Sequence, residues 1–318
     1  MSFDLILPFI RPLEPLLEDR EVSEIMVNGP HQVYVERRGR LEAVPDLGLA
    51  EKHLQVAIRN IARVLGEDIS EEMPILDARL PDGSRVAAVW PPCSVNGPTL
   101  TIRRFQYRQY TLDELVRIGT ISAPALATIT TAIEARENVL ISGATATGKT
   151  TLLNAIASLL PEDDRIILIE DTAELHLAKP HLVRFEARRA QPGLPAVTIR
   201  DLVIASLRHR PDRILLGEVR GGEAYDLIQA LNTGHAGTFS TIHASSAQQV
   251  LARLASCVLQ SGVELPYAAI RHQIADHLRW IVHLERRHGV RRVREILQIV
   301  GYQSDLDRYR FTVAHTTS

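Results

Sequence analysis

The sequence predicts an α/β protein in two parts, a parallel-sheet domain carrying a phosphate loop behind a smaller α+β domain. Three observations carry that prediction. Gly143-Ala144-Thr145-Ala146-Thr147-Gly148-Lys149-Thr150 is a complete G-x-x-x-x-G-K-T loop between an apolar run, Asn138 to Ser142, and a helical stretch opening at Thr151; this is the strand–loop–helix setting such a loop requires. From residue 138 onward apolar runs alternate with helix-length segments, as in parallel strands joined by crossover helices. Before residue 106 the apolar positions instead alternate over short runs broken by Gly, Pro, Asn and Asp, as in hairpins.

The 318 residues are enough for two domains, and 45% apolar content is ordinary for chains with full cores. Thirty-six basic residues against 38 acidic ones leave a net charge of −2, which argues against a general polyanion-binding surface and hence against direct nucleic-acid binding. Cys93 and Cys257 stand far apart with no C-x-x-C pair, so no zinc site is expected. Phe3 to Pro12 is apolar but too short and Pro-broken to span a membrane, and Asp4 takes the place of a signal peptide's basic lead. A cytoplasmic protein whose first residues pack on their own domain is expected.

Residues 1–105 are expected to form the α+β domain. Ser23–Pro30 and Gln32–Val44 alternate and are broken at Asn28-Gly29-Pro30 and Arg38-Gly39; Leu54, Ile58, Ile61 and Leu65 place one apolar face on a helix. Ile75–Leu80 and Ser84–Trp90 flank the turn Pro81-Asp82-Gly83, and Thr99–Phe105 adds a strand. The polar stretch 106–123 is expected to be a linker, with Ser122 capping a helix lined by Leu126, Ile129 and Ile133. Residues 124–318 make the second domain. Its strands are expected at Arg165–Asp171, Leu182–Phe185, Arg213–Glu218 and Thr238–His243, and an antiparallel hairpin turns at His288-Gly289. Beyond about residue 265 the pattern suggests packing and interface elements with no chemical role.

The loop dictates the chemistry. Its glycines let backbone N–H groups close around phosphate oxygens at a helix N-terminus, with Lys149 reaching the β- and γ-phosphates and Thr150 placed for Mg²⁺. A triphosphatase also needs a group that activates water and positive charge for the transition state. Glu218 ends the apolar run Ile214–Gly217 and is the candidate base and metal neighbour; Gly217 occupies the position before it, where an aspartate is usual, so part of the metal's coordination would come from elsewhere. Glu170, Asp171 and Glu174 follow another apolar run and could hold Mg²⁺ through water or position the nucleophile; alternatively Asp171 caps a helix. His235 and His243 could read the γ-phosphate. Arg103, Arg104 and Arg220 are the candidate cations, and adjacent strand residues point to opposite faces, so only one of Arg103 and Arg104 can readily serve.

In order, Gly143–Thr151, then Ile169-Glu170-Asp171-Thr172-Ala173-Glu174-Leu175, then Arg210–Arg220, then Gly234–Ala244 resemble the Walker A, Asp box, Walker B and His box of the ATPase superfamily of type II and type IV secretion and type IV pili. Asp77–Arg85, Trp90-Pro91-Pro92 and Thr101–Phe105 resemble the amino-terminal domain of its conjugal-transfer (TrbB-like) and Tad-pilus (CpaF-like) branch. The resemblance implies a RecA-like P-loop ATPase domain, ATP and Mg²⁺ as ligands with nucleotide at the domain boundary, a ring-shaped homo-hexamer, and inner-membrane secretion or pilus platform proteins as partners at the membrane's cytoplasmic face. Two cysteines cannot build the tetracysteine zinc module of the type II branch. Where the family usually has Gly-Ser, this loop has Ala146-Thr147, and alanine lacks glycine's freedom at positive φ. A RecA-like motor tracking nucleic acid and a low-turnover nucleotide-binding scaffold are the rival readings.

Overall fold

Residues 1–108 and 109–318 form separate units in the computed structural model, which describes residues 3–45, 47–104, 110–188, 190 and 194–317. The expected domain boundary and Phe105 fall outside the described residues.

The first unit begins with α1 (Glu14–Glu18) and β1 (Val22–Asn28), β2 (Val33–Arg37) and β3 (Arg40–Val44). Helix α2 (Glu51–Val64) follows, then β4 (Ile75–Arg79), β5 (Arg85–Val89) and β6 (Thr99–Arg103). The six strands form one sheet in the order β3-β2-β1-β6-β5-β4, antiparallel throughout. Alternation along the strands buries Ile25, Val27, Val86, Leu100 and Ile102 with Leu54, Ile58 and Ile61 of α2, the division of faces that period-two patterning produces. Phe3, Ile6 and Ile10 join this core. In the β4–β5 turn, Gly83 takes φ +91° and Asp82 Oδ1 accepts the Ser84 N–H at 3.0 Å.

The second unit opens with α3 (Leu112–Arg117) and α4 (Ala123–Glu134), which corrects the linker expected over 106–123. Thr111 and Glu114 form a reciprocal capping box, with Glu114 N–H on Thr111 Oγ1 at 3.1 Å and Thr111 N–H on Glu114 Oε2 at 2.9 Å. Leu115 and Ile121 then bury in this unit's core. The polar composition of the stretch concealed a T-x-x-E start signal. Ser122 caps α4 as expected.

Next come β7 (Val139–Gly143), α5 (Lys149–Ile156), β8 (Ile166–Glu170), β9 (Leu182–Glu186), α6 (Ile199–Ser206), β10 (Arg213–Val219), α7 (Glu223–Asn232), β11 (Phe239–His243), α8 (Gln249–Leu259) and α9 (Tyr267–His277). The chain closes with β12 (Trp280–Arg287), β13 (Val290–Gln303) and β14 (Arg308–Thr316). These strands build an eight-stranded sheet, β14-β13-β12-β7-β11-β10-β8-β9, parallel from β12 to β9 and antiparallel at β13 and β14. Leu140, Ile167, Ile214 and Ile242 pack with α6 to α9, while Ile141, Ile166, Leu168 and Leu215 pack with α3 to α5. Burial on both faces explains why the strands read as continuous apolar runs. The expected β12–β13 hairpin forms, but β12 also lies beside β7, pairing Trp280 with Val139 through Leu284 with Gly143. The tail is therefore part of the sheet that presents the phosphate loop.

Candidate nucleotide site

Parallel strands place Gly143, His243, Glu218 and Glu170 at the carboxyl ends of β7, β11, β10 and β8, where open α/β sheets gather ligands. The loop leaving β7 turns through Ala146 at φ +60° and Gly148 at φ +94° into α5. Gly143 has no room for a side chain, since a Cβ would stand 2.6 Å from both the Leu284 carbonyl oxygen and Thr147 Oγ1. Thr147 is buried and donates to the Ala144 carbonyl at 2.9 Å. Ala144, Thr145 and Ala146 are exposed, and Thr150 and Thr151 are half-buried on the first turn of α5.

Lys149 is buried and donates from Nζ to the Gly143 and Ala144 carbonyls at 3.1 and 3.0 Å and to His243 Nδ1 at 3.2 Å. Burial pushes its pKa down, against the raising field of Glu218. Glu218 Oε1 lies 2.7 Å from His243 Nε2, and Oε2 accepts from Arg220 Nε at 2.7 Å. Arg220 also reaches Asp171 Oδ2 at 3.0 Å. Desolvation holds His243 below its ordinary pKa, with Glu218 opposing and Lys149 adding to the effect. The Lys149 contact fits a neutral imidazole whose Nδ1 accepts, while Nε2 lies close to Glu218 Oε1, a buried oxygen that forms no hydrogen bond among the described residues.

This donor set fits a nucleotide phosphate: a desolvated ammonium, bonded among the described residues to two carbonyls and an imidazole, stands at a helix N-terminus behind a loop of exposed residues. It fits Mg²⁺ only if phosphate and water complete the coordination, because among the described residues no group of three His, Cys, Asp or Glu is placed to hold a metal.

Residues 10–302 match the family model for type II/IV secretion system proteins. This chain belongs to that family. It is 36% identical over 293 residues to the conjugal transfer protein TrbB of Rhizobium radiobacter, covering 91% of this chain and 87% of that protein. It is 40% identical over 246 residues to an uncharacterized protein of Methanocaldococcus jannaschii, covering 75% of this chain but only 34% of the archaeal protein's length. The crystal structure of the VirB11 ATPase from the Brucella suis type IV secretion system, in complex with sulphate, aligns at TM-score 0.50 and 32% identity, covering 92% of this chain and 94% of that one. The second unit thus carries the family's RecA-like ATPase fold behind its amino-terminal domain, and the chain is a secretion ATPase.

Within this secretion ATPase, several expected site residues have other work. Glu170 is buried, its Oε1 accepts the Glu174 and Leu175 N–H groups at 2.8 Å each, and Oε2 accepts from Arg184 at 3.3 Å. It pins the following loop rather than offering its carboxylate to a metal, and burial raises its pKa despite those bonds. No helix follows Asp171, so its role as a cap is replaced by the pair with Arg220. Glu174 is exposed and adds to the negative field on Arg220. His235 sits after α7, its Nδ1 3.1 Å from the Ala230 carbonyl oxygen, at the amino end of β11. Four residue steps of about 3.3 Å along that strand, roughly 13 Å, separate its two ends, so His235 cannot read a phosphate at the loop of its own chain.

Arg104 is also used locally, donating to the Asp19 carbonyl and, at 3.4 Å, to that of Val22, with its guanidinium 5.5 Å from the Phe3 ring centroid. Arg103 is exposed on the opposite face, in a row where Arg79 pairs with Arg85 and Arg85 with Arg103. The 81–83 turn fixes that register, so Arg79 and Arg85 were within reach of sequence reasoning. His283 and Arg291 were not. His283 Nδ1 lies 2.9 Å from Ser142 Oγ, and Arg291 Nε donates to the Ala146 carbonyl at 2.9 Å. Both contacts depend on β12 joining β7, a non-local pairing with no local sequence signal.

Proposed function

We propose that this chain is the ring-forming motor of a type IV secretion or conjugation-type system, a homo-hexamer that hydrolyses ATP at the cytoplasmic face of the inner membrane and works on secretion or pilus platform proteins there. The observation that carries the reading is the chain of contacts from Lys149 through His243 to Glu218 beside the phosphate loop.

Lys149 turns from its own loop's carbonyls to the β- and γ-phosphates, exchanging partial charges for a full ion pair. The loop N–H groups and the first turn of α5 bind the same phosphates. Mg²⁺, held by Thr150, phosphate oxygens, water and the neighbouring Glu218, would supply charge neutralisation across the β- and γ-phosphates. Glu218 Oε2 accepts from Arg220, while Oε1, close to His243 Nε2, forms no hydrogen bond among the described residues and is left to orient the attacking water and take its proton. His243 Nε2 stands beside the carboxylate. Arg103, exposed at its strand end, is assigned to the developing γ-phosphoryl charge, supplied by the same or a neighbouring subunit.

A low-turnover scaffold remains a distinct reading because of two observations, Ala146 at positive φ and Gly217 at the usual aspartate position. Steady-state ATP hydrolysis with light scattering on the full chain separates the two. A particle six times the chain mass with many turnovers per subunit, abolished in Lys149→Ala, supports the motor. Nucleotide binding without repeated turnover supports the scaffold, and hydrolysis surviving Lys149→Ala contradicts both.

A further inference from the structure

Ala146 holds φ at +60° in the middle of the phosphate loop, a region that penalises a residue with a Cβ. A contact from outside the loop meets it there. Arg291, near the start of β13, donates its Nε–H to the Ala146 carbonyl at 2.9 Å. Its Cδ lies 3.5 Å from where a Cβ on Gly148 would stand. The side chain thus lies against the loop from residue 146 to residue 148.

The hairpin that carries Arg291 is rooted in the strand the loop leaves. Strand β12 pairs His283 with Ser142 and Leu284 with Gly143, and the His283–Ser142 contact at 2.9 Å reinforces that register. His288 and Gly289, at φ +51° and +82°, make the tight turn into β13. In a backbone nest the N–H groups converge on the anion, so a donor on a loop carbonyl can fix their aim without competing for phosphate.

We infer that Arg291 is a positioning residue for nucleotide binding, clamping Ala146 in the left-handed conformation that the phosphate-receiving loop needs. The inference rests on the reading of the loop as a nucleotide site. It makes the β12–β13 hairpin part of that site, and it gives a physical counterpart to the alanine in the loop. Arg291 acts here through its hydrogen bond, not through its charge.

The test is the dissociation constant for ADP with Mg²⁺, by calorimetry on the full chain. Wild type is compared with Arg291→Ala, Arg291→Gln, Ala146→Gly and the double variant Ala146→Gly/Arg291→Ala, with melting temperatures to confirm folding. Glutamine carries an amide nitrogen at the same number of bonds from Cβ as arginine Nε, without the charge. Arg291→Ala is expected to weaken binding up to about tenfold, the upper size of an ordinary hydrogen bond. Arg291→Gln is expected to stay within about threefold of wild type, and the cost of Arg291→Ala is expected to fall below about threefold in the Ala146→Gly background. Hydrogen exchange of the 143–148 amides without nucleotide should quicken in Arg291→Ala.

An Arg291→Gln protein as weak as Arg291→Ala would overturn the clamp and assign the guanidinium charge to the phosphates. A cost unchanged by Ala146→Gly would sever the link to that residue, and Arg291→Ala binding like wild type would remove the role. Wild-type protein that binds no ADP would fail at the nucleotide-site reading itself, a result distinct from any of these.

Discussion

Glu218 accepts from Arg220 and lies 2.7 Å from His243 Nε2, and His243 in turn faces Lys149. The residues proposed to bind phosphate and activate water are already in one chain of contacts. A second histidine, His283, reports on the same region through pH. Burial holds its pKa below the ordinary value, with Glu285 working against the shift and Lys149 adding to it. Between the unfolded value near 6.5 and the depressed native one, the unfolded chain binds the extra proton, so stability falls as pH falls through that window. Denaturant unfolding at pH 7 and 5.5 should show this loss, at most about 1.4 kcal/mol per pH unit from this group, and His283→Asn should flatten the slope. The placement of Lys149 and Glu218 was legible because a phosphate loop and a strand-end carboxylate are local patterns. His235 was misread for a related reason: a Gly-rich turn looks alike at either end of a strand, and only the strand's direction separates it from His243.

Among the elements, α3 shows how composition can hide a signal. Thr111 to Glu114 is a capping box, and Leu115 is buried beneath it, yet the surrounding polarity suggests a linker. Leu115→Ala should therefore cost about 2–5 kcal/mol, the range for a buried leucine, read as a lowered denaturation midpoint. A true linker residue would change it little. The parallel strands were legible one by one because burial on both faces makes each a short apolar run. Their order was not. The β12–β13 hairpin could be read from alternation about His288-Gly289, but its insertion beside β7 joins residues about 140 positions apart, and it is this pairing that brings His283 and Arg291 to the loop.

At the scale of the molecule, an antiparallel unit and a mainly parallel one divide the expected chemistry. The phosphate loop lies in the second unit, and Arg103 of the first is a proposed source of transition-state charge. Arg103 and Arg104 test the division because they are neighbours with opposite surroundings. Arg103→Ala should lower kcat by at least about a hundredfold, below the 10³–10⁵ range of established arginine fingers because Arg79 and Arg85 share its row, with KM for ATP little changed. Arg104→Ala should act on stability, by about 0.5–1.5 kcal/mol for the hydrogen bonds lost, since the Asp19 carbonyl still accepts the Val22 N–H, while kcat in the folded protein stays near wild type. The central claim, that Glu218 activates water beside a phosphate loop built by this sheet, is tested most directly by Glu218→Gln. ATP affinity and steady-state hydrolysis would be measured on the same preparation. The account predicts that binding is retained within a few-fold while kcat falls at least about a hundredfold. Hydrolysis at the wild-type rate would contradict it.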